Sequence, residues 1–229
     1  MRGLFITGTD TGVGKTVLSA SLLAAIAASG EQVRAFKPVV TGIEETPSEG
    51  SAWPADHALL ASAAGMSSSE VAAYLYPTPA SPHLAARLAG EQVDPDRLVE
   101  HAQSSGDGAT LIVEGVGGLL VPLSDEYSVR DLALALGLPI VIAARPGLGT
   151  ISHSLLTLEA ARAVGLRVVA VVLTPWPAAP SVLEASNRAT IARLGGVEVC
   201  TLSELAGPGI GELARAGAEL PWRVWLADS

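Results

Sequence analysis

Phe5-Ile6-Thr7-Gly8-Thr9-Asp10-Thr11-Gly12-Val13-Gly14-Lys15-Thr16 is the stretch whose reading decides the fold. The apolar run Leu4–Ile6 enters it, a Gly/Thr-rich turn follows, and the helix-forming segment Val17–Ala28 leaves it. That strand–loop–helix order is the setting of a phosphate-binding loop. Successive backbone N–H groups wrap an anion, and the first helical turn points its positive dipole end at it. Lys15 then reaches the β- and γ-phosphates of a nucleotide, and the Thr16 hydroxyl is placed to ligate Mg²⁺. The general pattern puts four residues between its two glycines; five separate Gly8 from Gly14 here.

Composition narrows what surrounds this loop. The 229 residues suffice for one α/β domain with a real core, and residues 1–229 are read as a single P-loop domain. Hydrophobic residues make up 49% and aromatics only 4%, so Ala, Leu, Val and Gly build the interior. A net charge of −9 with no basic run argues against a nucleic-acid partner. Cys200 is the single cysteine, which excludes an intrachain disulfide and a cysteine-built zinc site; in its apolar run it reads as a buried core thiol. The chain enters its first strand by Leu4, leaving no room for a signal peptide, and the Ala-rich segment after the loop is too short to span a bilayer. A cytoplasmic protein without membrane contact is expected.

Apolar runs recur at Leu4–Ile6, Val33–Phe36, Thr110–Val113, Ile140–Ala143 and Val168–Leu173, without alternation, as strands buried on both faces do. Helical segments fall between them at Lys15–Ala28, Ala55–Ala64, Asp94–Gln103, Val129–Leu136, Ile151–Val164 and Pro180–Leu194, with Gly30, Gly65, Gly137, Gly165 and Gly195 at their ends. The alternation predicts an α/β fold: a doubly wound, mostly parallel sheet flanked by helices, with ligands at the carboxyl ends of the strands. Gly42–Pro54 reads as a mobile loop, and the prolines of Leu75–His83 as an extended path between helices. Periodicity is weak after Gly195.

Several residues could carry chemistry. Lys37 closes the second apolar run, where it either reaches solvent or offers a second cation to a transferring phosphoryl group. Thr41 and Gly42 follow on the same edge. Glu114 comes directly after an apolar run, the usual place for the acid that helps hold Mg²⁺, and opens the glycine-rich Glu114-Gly115-Val116-Gly117-Gly118. Asp56 starts a helix, an ordinary position for an acid. Gly147–His153 begins another helix, a further N-terminus able to receive an anion. His57, His83, His101 and His153 lack metal-ligand spacing and read as helix-face or surface residues. No nucleophile elbow is present.

Taken together, Gly8–Thr16, Lys37-Pro38 with Thr41-Gly42, Val113-Glu114-Gly115-x-Gly117-Gly118 with Pro122-Leu123, and Leu148-Gly149-x-Ile151-x-His153 resemble the dethiobiotin synthetase family, whose phosphate loop has the same extra residue. The resemblance implies a cyclo-ligase that joins 7,8-diaminopelargonic acid and CO₂ to dethiobiotin, using ATP and Mg²⁺, through a carbamate and its mixed anhydride with phosphate. It implies that Gly12, Val13, Gly14, Lys15, Thr16 and Val17 bind nucleotide, together with Asp56, Glu114, Gly115, Val116, Gly117, Thr174 and Pro175. It assigns Mg²⁺ to Thr16, Asp56 and Glu114, and catalysis to Lys37, Lys15 and Thr11. Substrate contacts fall to Thr11, Lys37, Thr41 and Gly118. A homodimer is also implied, in which the substrate tail meets Gly149, Thr150, Ile151 and Ser152 across the subunit boundary.

Two departures bear on specificity. Thr41 stands where the family commonly has serine. Thr174-Pro175-Trp176-Pro177 stands where the family often has an asparagine against adenine, and a threonine hydroxyl cannot make the amide's paired contact, which implies relaxed nucleotide preference. The tyrosine often seen near Asn187 is absent. The alternatives are a cobyrinate-type amidotransferase domain and a partitioning-type switch ATPase with a macromolecular partner. The first continues into a glutaminase domain; the second usually carries a further lysine early in the loop, where Gly8, Thr9 and Asp10 stand.

Overall fold

The computed structural model describes residues 1–43 and 53–227. Within them, strands β1 (Gly3–Gly8), β2 (Val33–Thr41), β3 (Ala72–Tyr76), β4 (Thr110–Gly118), β5 (Ile140–Ala144), β6 (Val168–Trp176) and β7 (Glu198–Ser203) form one sheet in the order β3-β2-β4-β1-β5-β6-β7. All neighbouring strands run parallel. β1 is central and completely buried, and β4 lies between it and β2. The order reverses at β1, which carries the phosphate loop at its carboxyl end, where such sheets receive ligands.

Because successive strand residues point to opposite faces, Leu4 and Ile6 serve one face while Phe5 serves the other. On the first face α1 (Lys15–Ala28), α2 (Asp56–Ala64), α3 (Ser68–Val71), α9 (Ile210–Ala218) and α10 (Trp222–Ala227) cover Ile112, Val141 and Val172. The opposite face takes α4 (Pro82–Leu88), α5 (Pro95–Ser105), α6 (Val129–Leu136), α7 (Thr150–Arg162) and α8 (Val182–Gly195) over Phe36, Val113 and Ile142. The doubly wound expectation holds, and the only antiparallel element among the described residues is a single bridge between Pro122 and Ser128.

Helix ends follow local chemistry. Ser128 with Asp131, and Ser181 with Glu184, close capping boxes at the starts of α6 and α8, each satisfying backbone donors that a helix start leaves free. α9 is seated unusually close on α1: a Cβ at Gly217 would lie 2.0 Å from the Ser21 carbonyl oxygen.

Several boundaries differ from the expectations. β1, β2, β4 and β6 each continue past their apolar cores, so Glu114–Gly118 and Thr174–Trp176 lie within strands rather than in the turns after them. β3 replaces the first part of the expected extended path, and α4 begins at Pro82, whose fixed φ and missing N–H suit a first helical turn. The left-handed turn that ends α8 belongs to Gly196 (φ 52°), not to Gly195. Gly195 instead admits close packing, since a Cβ there would lie 2.8 Å from Leu158. Of the loop expected over Gly42–Pro54, residues 44–52 lie outside the described residues.

Cys200 sits on β7 and is half-buried rather than a core thiol. Burial, reinforced by the Glu198 charge, pushes its pKa up to about 11. The reactive thiolate is thereby suppressed, so alkylation by iodoacetamide at pH 8 should run about 100-fold slower than for a free thiol, a ratio that follows from the two-unit rise. Mass spectrometry of timed samples reads this; labelling at the free-cysteine rate contradicts it.

Candidate active site

The phosphate loop hangs between two fixed ends. β1 stops at Gly8, where Thr9 N–H donates to the Ala143 carbonyl at 3.0 Å, and α1 starts at Lys15. Gly12 and Gly14 occupy left-handed conformations (φ 68° and 91°) that a side chain disfavours. A Cβ at Gly14 would also come within 2.7 Å of the Thr174 methyl, so β6 presses Thr174 directly against the loop. Val13 turns into the core.

Five side chains from four elements converge beside this loop. Lys15 opens α1; it is 7% exposed and its ammonium donates to the Asp10 carbonyl at 2.9 Å. Burial, with the nearby Lys37 charge acting in the same direction, lowers its pKa to about 8 although Glu114 pulls the other way. The next residue, Thr16, donates its hydroxyl to Glu114 Oε1 at 2.9 Å. Glu114 is completely buried in β4. Lys37, inside β2 and 4% exposed, donates to Glu114 Oε1 at 2.5 Å and to Asp56 Oδ2, at the start of α2, at 2.8 Å.

The electrostatics follow from this packing. Burial works against the Lys37 ammonium, but the Glu114 and Asp56 charges and hydrogen bonds outweigh it and raise its pKa above the ordinary value. Burial likewise opposes the Asp56 carboxylate and is overcome by Lys37, so that carboxyl titrates below its usual range. Lys37 therefore does not reach solvent. Nor is β2 the neighbour of β1: its lysine reaches the site across the end of the intervening β4, which supplies Glu114.

One atom of the cluster is unspent. Glu114 Oε2 is buried and has no hydrogen-bond partner. An ionised carboxylate oxygen in that state is costly unless a cation or donor meets it. With the Thr16 hydroxyl and the half-exposed Asp56 carboxylate nearby, the donor set is all hard oxygen, as Mg²⁺ requires. The residues present therefore fit the ion that the sequence implied.

Four members of the cluster, Lys15, Thr16, Lys37 and Asp56, line a cleft of about 710 Å³, whereas the fully buried Glu114 does not. From the loop and α1 it is lined by Thr11, Gly12, Gly14, Lys15, Thr16 and Val17. Lys37, Thr41, Asp56, Val116 and Gly117 also line it. Trp53 and Pro79–Pro82, which the sequence did not mark as site residues, are also among the lining. For Pro79–Pro82 the signal was the run of prolines, read only as a chain path.

The family model described as an AAA domain matches residues 2–204. The ATP-dependent dethiobiotin synthetase of Anaeromyxobacter sp. (strain Fw109-5) is 43% identical over 205 residues, covering 86% of this chain and 87% of the relative. That of Bacillus licheniformis is 40% identical, covering 86% and 83%, and that of Bacillus subtilis (strain 168) is 35% identical, covering 87% and 85%. The chain belongs to the ATP-dependent dethiobiotin synthetase family. Among solved structures, a ParA family ATPase from Chlorobium tepidum covers 98% of this chain and 99% of its own at a TM-score of 0.57. Its sequence identity is 12%, so the likeness is one of fold alone.

As a member of the dethiobiotin synthetase family, the protein is an ATP-dependent ligase of biotin biosynthesis. Gly115 has a packing role: a Cβ would lie 2.9 Å from Val129 and 3.2 Å from Phe5. Gly118 lies beside the Gly8 and Thr9 carbonyls. Thr174 is buried behind Gly14, while Pro175 is exposed, and neither lines the cleft. Gly149, Thr150, Ile151 and Ser152 lie at the start of α7 and also outside the cleft lining; Thr150 is buried there. His101, expected on a helix face, stacks on Phe36 with ring centroids 5.0 Å apart. The cleft also leaves out Arg145, a residue the sequence reading passed over. It is the first residue beyond β5, and its guanidinium approaches the carbonyls of Thr11 and Gly12 at 3.4 and 3.3 Å.

Among the described residues no helix is long and apolar enough to cross a membrane.

Proposed function

We propose that the cleft closes the ureido ring of dethiobiotin from 7,8-diaminopelargonic acid, CO₂ and ATP. The observation that carries this reading is that two buried lysines, Lys15 and Lys37, line one cleft. Two anions, a carbamate and a triphosphate, must meet there, and fixed positive charge in a water-poor site is what brings them together.

In the first step one substrate amine bonds to CO₂ and loses a proton, giving the carbamate. A carbamate oxygen then attacks the γ-phosphorus of ATP, the bond to the bridging oxygen breaks, and ADP leaves. The second amine attacks the carbonyl carbon of this mixed anhydride. Phosphate departs, a proton is lost, and the cyclic urea remains. Lys15 holds the β- and γ-phosphates, Lys37 faces the carbamate and the transferring group, and Thr11 and Thr41 orient the amines. Thr16, Asp56 and Glu114 would hold Mg²⁺, which when bound offsets phosphate charge. The homodimer is part of the proposal, in which Leu148, 92% exposed beside the start of α7, would be covered by the second subunit.

The test is phosphate release with Mg²⁺, bicarbonate and ATP, with and without the diamine, and with the product identified by mass spectrometry. Diamine-dependent release with one dethiobiotin per phosphate is expected. Release indifferent to the diamine overturns the reading in favour of a switch ATPase. Substituting CTP or GTP at equal concentration should leave turnover within about tenfold, because Thr174 is buried against Gly14 and offers no amide's paired contact to a base; a preference for ATP by orders of magnitude contradicts relaxed base selection.

A further inference from the structure

A phosphate loop has an outer surface as well as an inner one. When its peptide N–H groups turn inward to an anion, the carbonyls of the same peptides face outward and need donors of their own. In this chain the outer side of Thr11 and Gly12 is met by Arg145. β5 pairs with β1 so that Ala143 lies opposite Gly8, and two residues later the chain delivers Arg145 beside the loop. Its Nη2 lies 3.3 Å from the Gly12 carbonyl and 3.4 Å from that of Thr11, and a Cβ at Gly12 would sit 3.2 Å from it. Arg145 is exposed and pairs with no carboxylate among the described residues. Its charge is thus committed to the loop.

The segment carrying Arg145 is held from behind. Asn187 on α8 is 5% exposed, and its Nδ2 donates to the Pro146 carbonyl at 2.9 Å and to that of Gly147 at 3.1 Å. Both acceptors lie just after Arg145, so a buried amide fixes the backbone from which the guanidinium projects.

We propose that Arg145, held in place by Asn187, is a positioning residue for the phosphate loop. It sets the Thr11 and Gly12 peptides so that their N–H groups face the nucleotide phosphates. The inference rests on ATP binding at this loop, not on the ring-closing chemistry.

The test uses binding as well as turnover. Calorimetric titration of the full chain with ATP and Mg²⁺, without diamine, should show Arg145→Ala weakening affinity about tenfold, the scale of a lost charge-assisted hydrogen bond. In turnover the KM for ATP should rise about tenfold with a smaller change in kcat. The melting temperature of the apoprotein should stay within about 2 °C, because the side chain is exposed. Arg145→Lys, which keeps the charge and one donor, should recover most of the affinity. Asn187→Ala should act in the same direction, and adding it to Arg145→Ala should cost nothing more, since one residue works through the other. Affinity and KM within twofold of wild type for Arg145→Ala overturn the proposal. So does an Asn187→Ala effect that persists undiminished in the Arg145→Ala background. Loss of diamine dependence with ATP binding still sensitive to Arg145 would remove the ring-closing reading and leave this one standing.

Discussion

Replacing Lys37 by alanine should lower diamine-dependent phosphate release by about 10³-fold, the upper range for removing one preorganised donor to a charge that develops in the transition state. ATP affinity should change far less, because Lys15 and the loop amides remain. The same substitution should also destabilise the protein. Lys37 is the ammonium partner of Glu114, which is completely buried. Removing one member of a buried pair typically costs about 3–5 kcal/mol, since the other is left with its desolvation unopposed. The two effects can be separated. Lys37→Met with Glu114→Gln removes both charges, so stability should return toward wild type while turnover does not. Thermal melts and single-turnover product assays read the two quantities. A Lys37→Ala variant that melts and turns over like wild type would exclude both the buried pair and the catalytic role.

The second large effect lies far from the cleft. Gly217→Ala places a methyl group where the Ser21 carbonyl oxygen would be 2.0 Å away, and its carbon 2.5 Å away. Backbone cannot step aside as a side-chain tip can, so α9 must move off α1. Overpacking of this kind costs about 1–3 kcal/mol, and more when the obstacle is main chain. For a chain of this size each kcal/mol corresponds to about 2–4 °C of melting temperature, so a fall of about 10 °C is expected. Gly211, on the same helix, has no atom within 4 Å of its virtual Cβ. Gly211→Ala should be neutral or slightly stabilising, since alanine is the better helix former. Equal melting temperatures for the two variants would show that the close approach is not borne by backbone.

These two residues also show how far the sequence could be read. Lys37 was visible as a candidate because a lysine inside an apolar run is conspicuous. That it meets Asp56 and Glu114 was not visible in the residues themselves, since nothing local says that β4 inserts between β1 and β2. The family resemblance singled out all three residues, Asp56 and Glu114 for Mg²⁺ and Lys37 for catalysis, without implying that the lysine pairs with the two acids. Gly217 was invisible, because a glycine inside a helical segment reads first as a weak helix former rather than as a packing contact. The same holds for β3, whose burial alternates at the sheet edge and whose end runs into prolines. The central strands were legible because both faces are covered, which forces uninterrupted apolar runs. Arg145 escaped notice because its role depends on the β1–β5 pairing, whereas arginines after strands are commonplace.

The strand order carries a consequence for how the chain comes to be folded. The two hydrogen bonds that Glu114 accepts in the charge cluster join residues 77 and 98 positions apart in sequence. β1 is synthesised first yet becomes the middle of the sheet, and it waits for β4 and β5 before either of its edges is paired. Loop-closure entropy must be met before such distant pairings repay it, which makes parallel sheets slow to form. A nascent chain that has emerged only through α2 holds Lys37 and Asp56 but not Glu114, and has a phosphate loop attached to an unpaired strand. Competence to handle nucleotide therefore arrives late in synthesis, after β4 and β5 have been made.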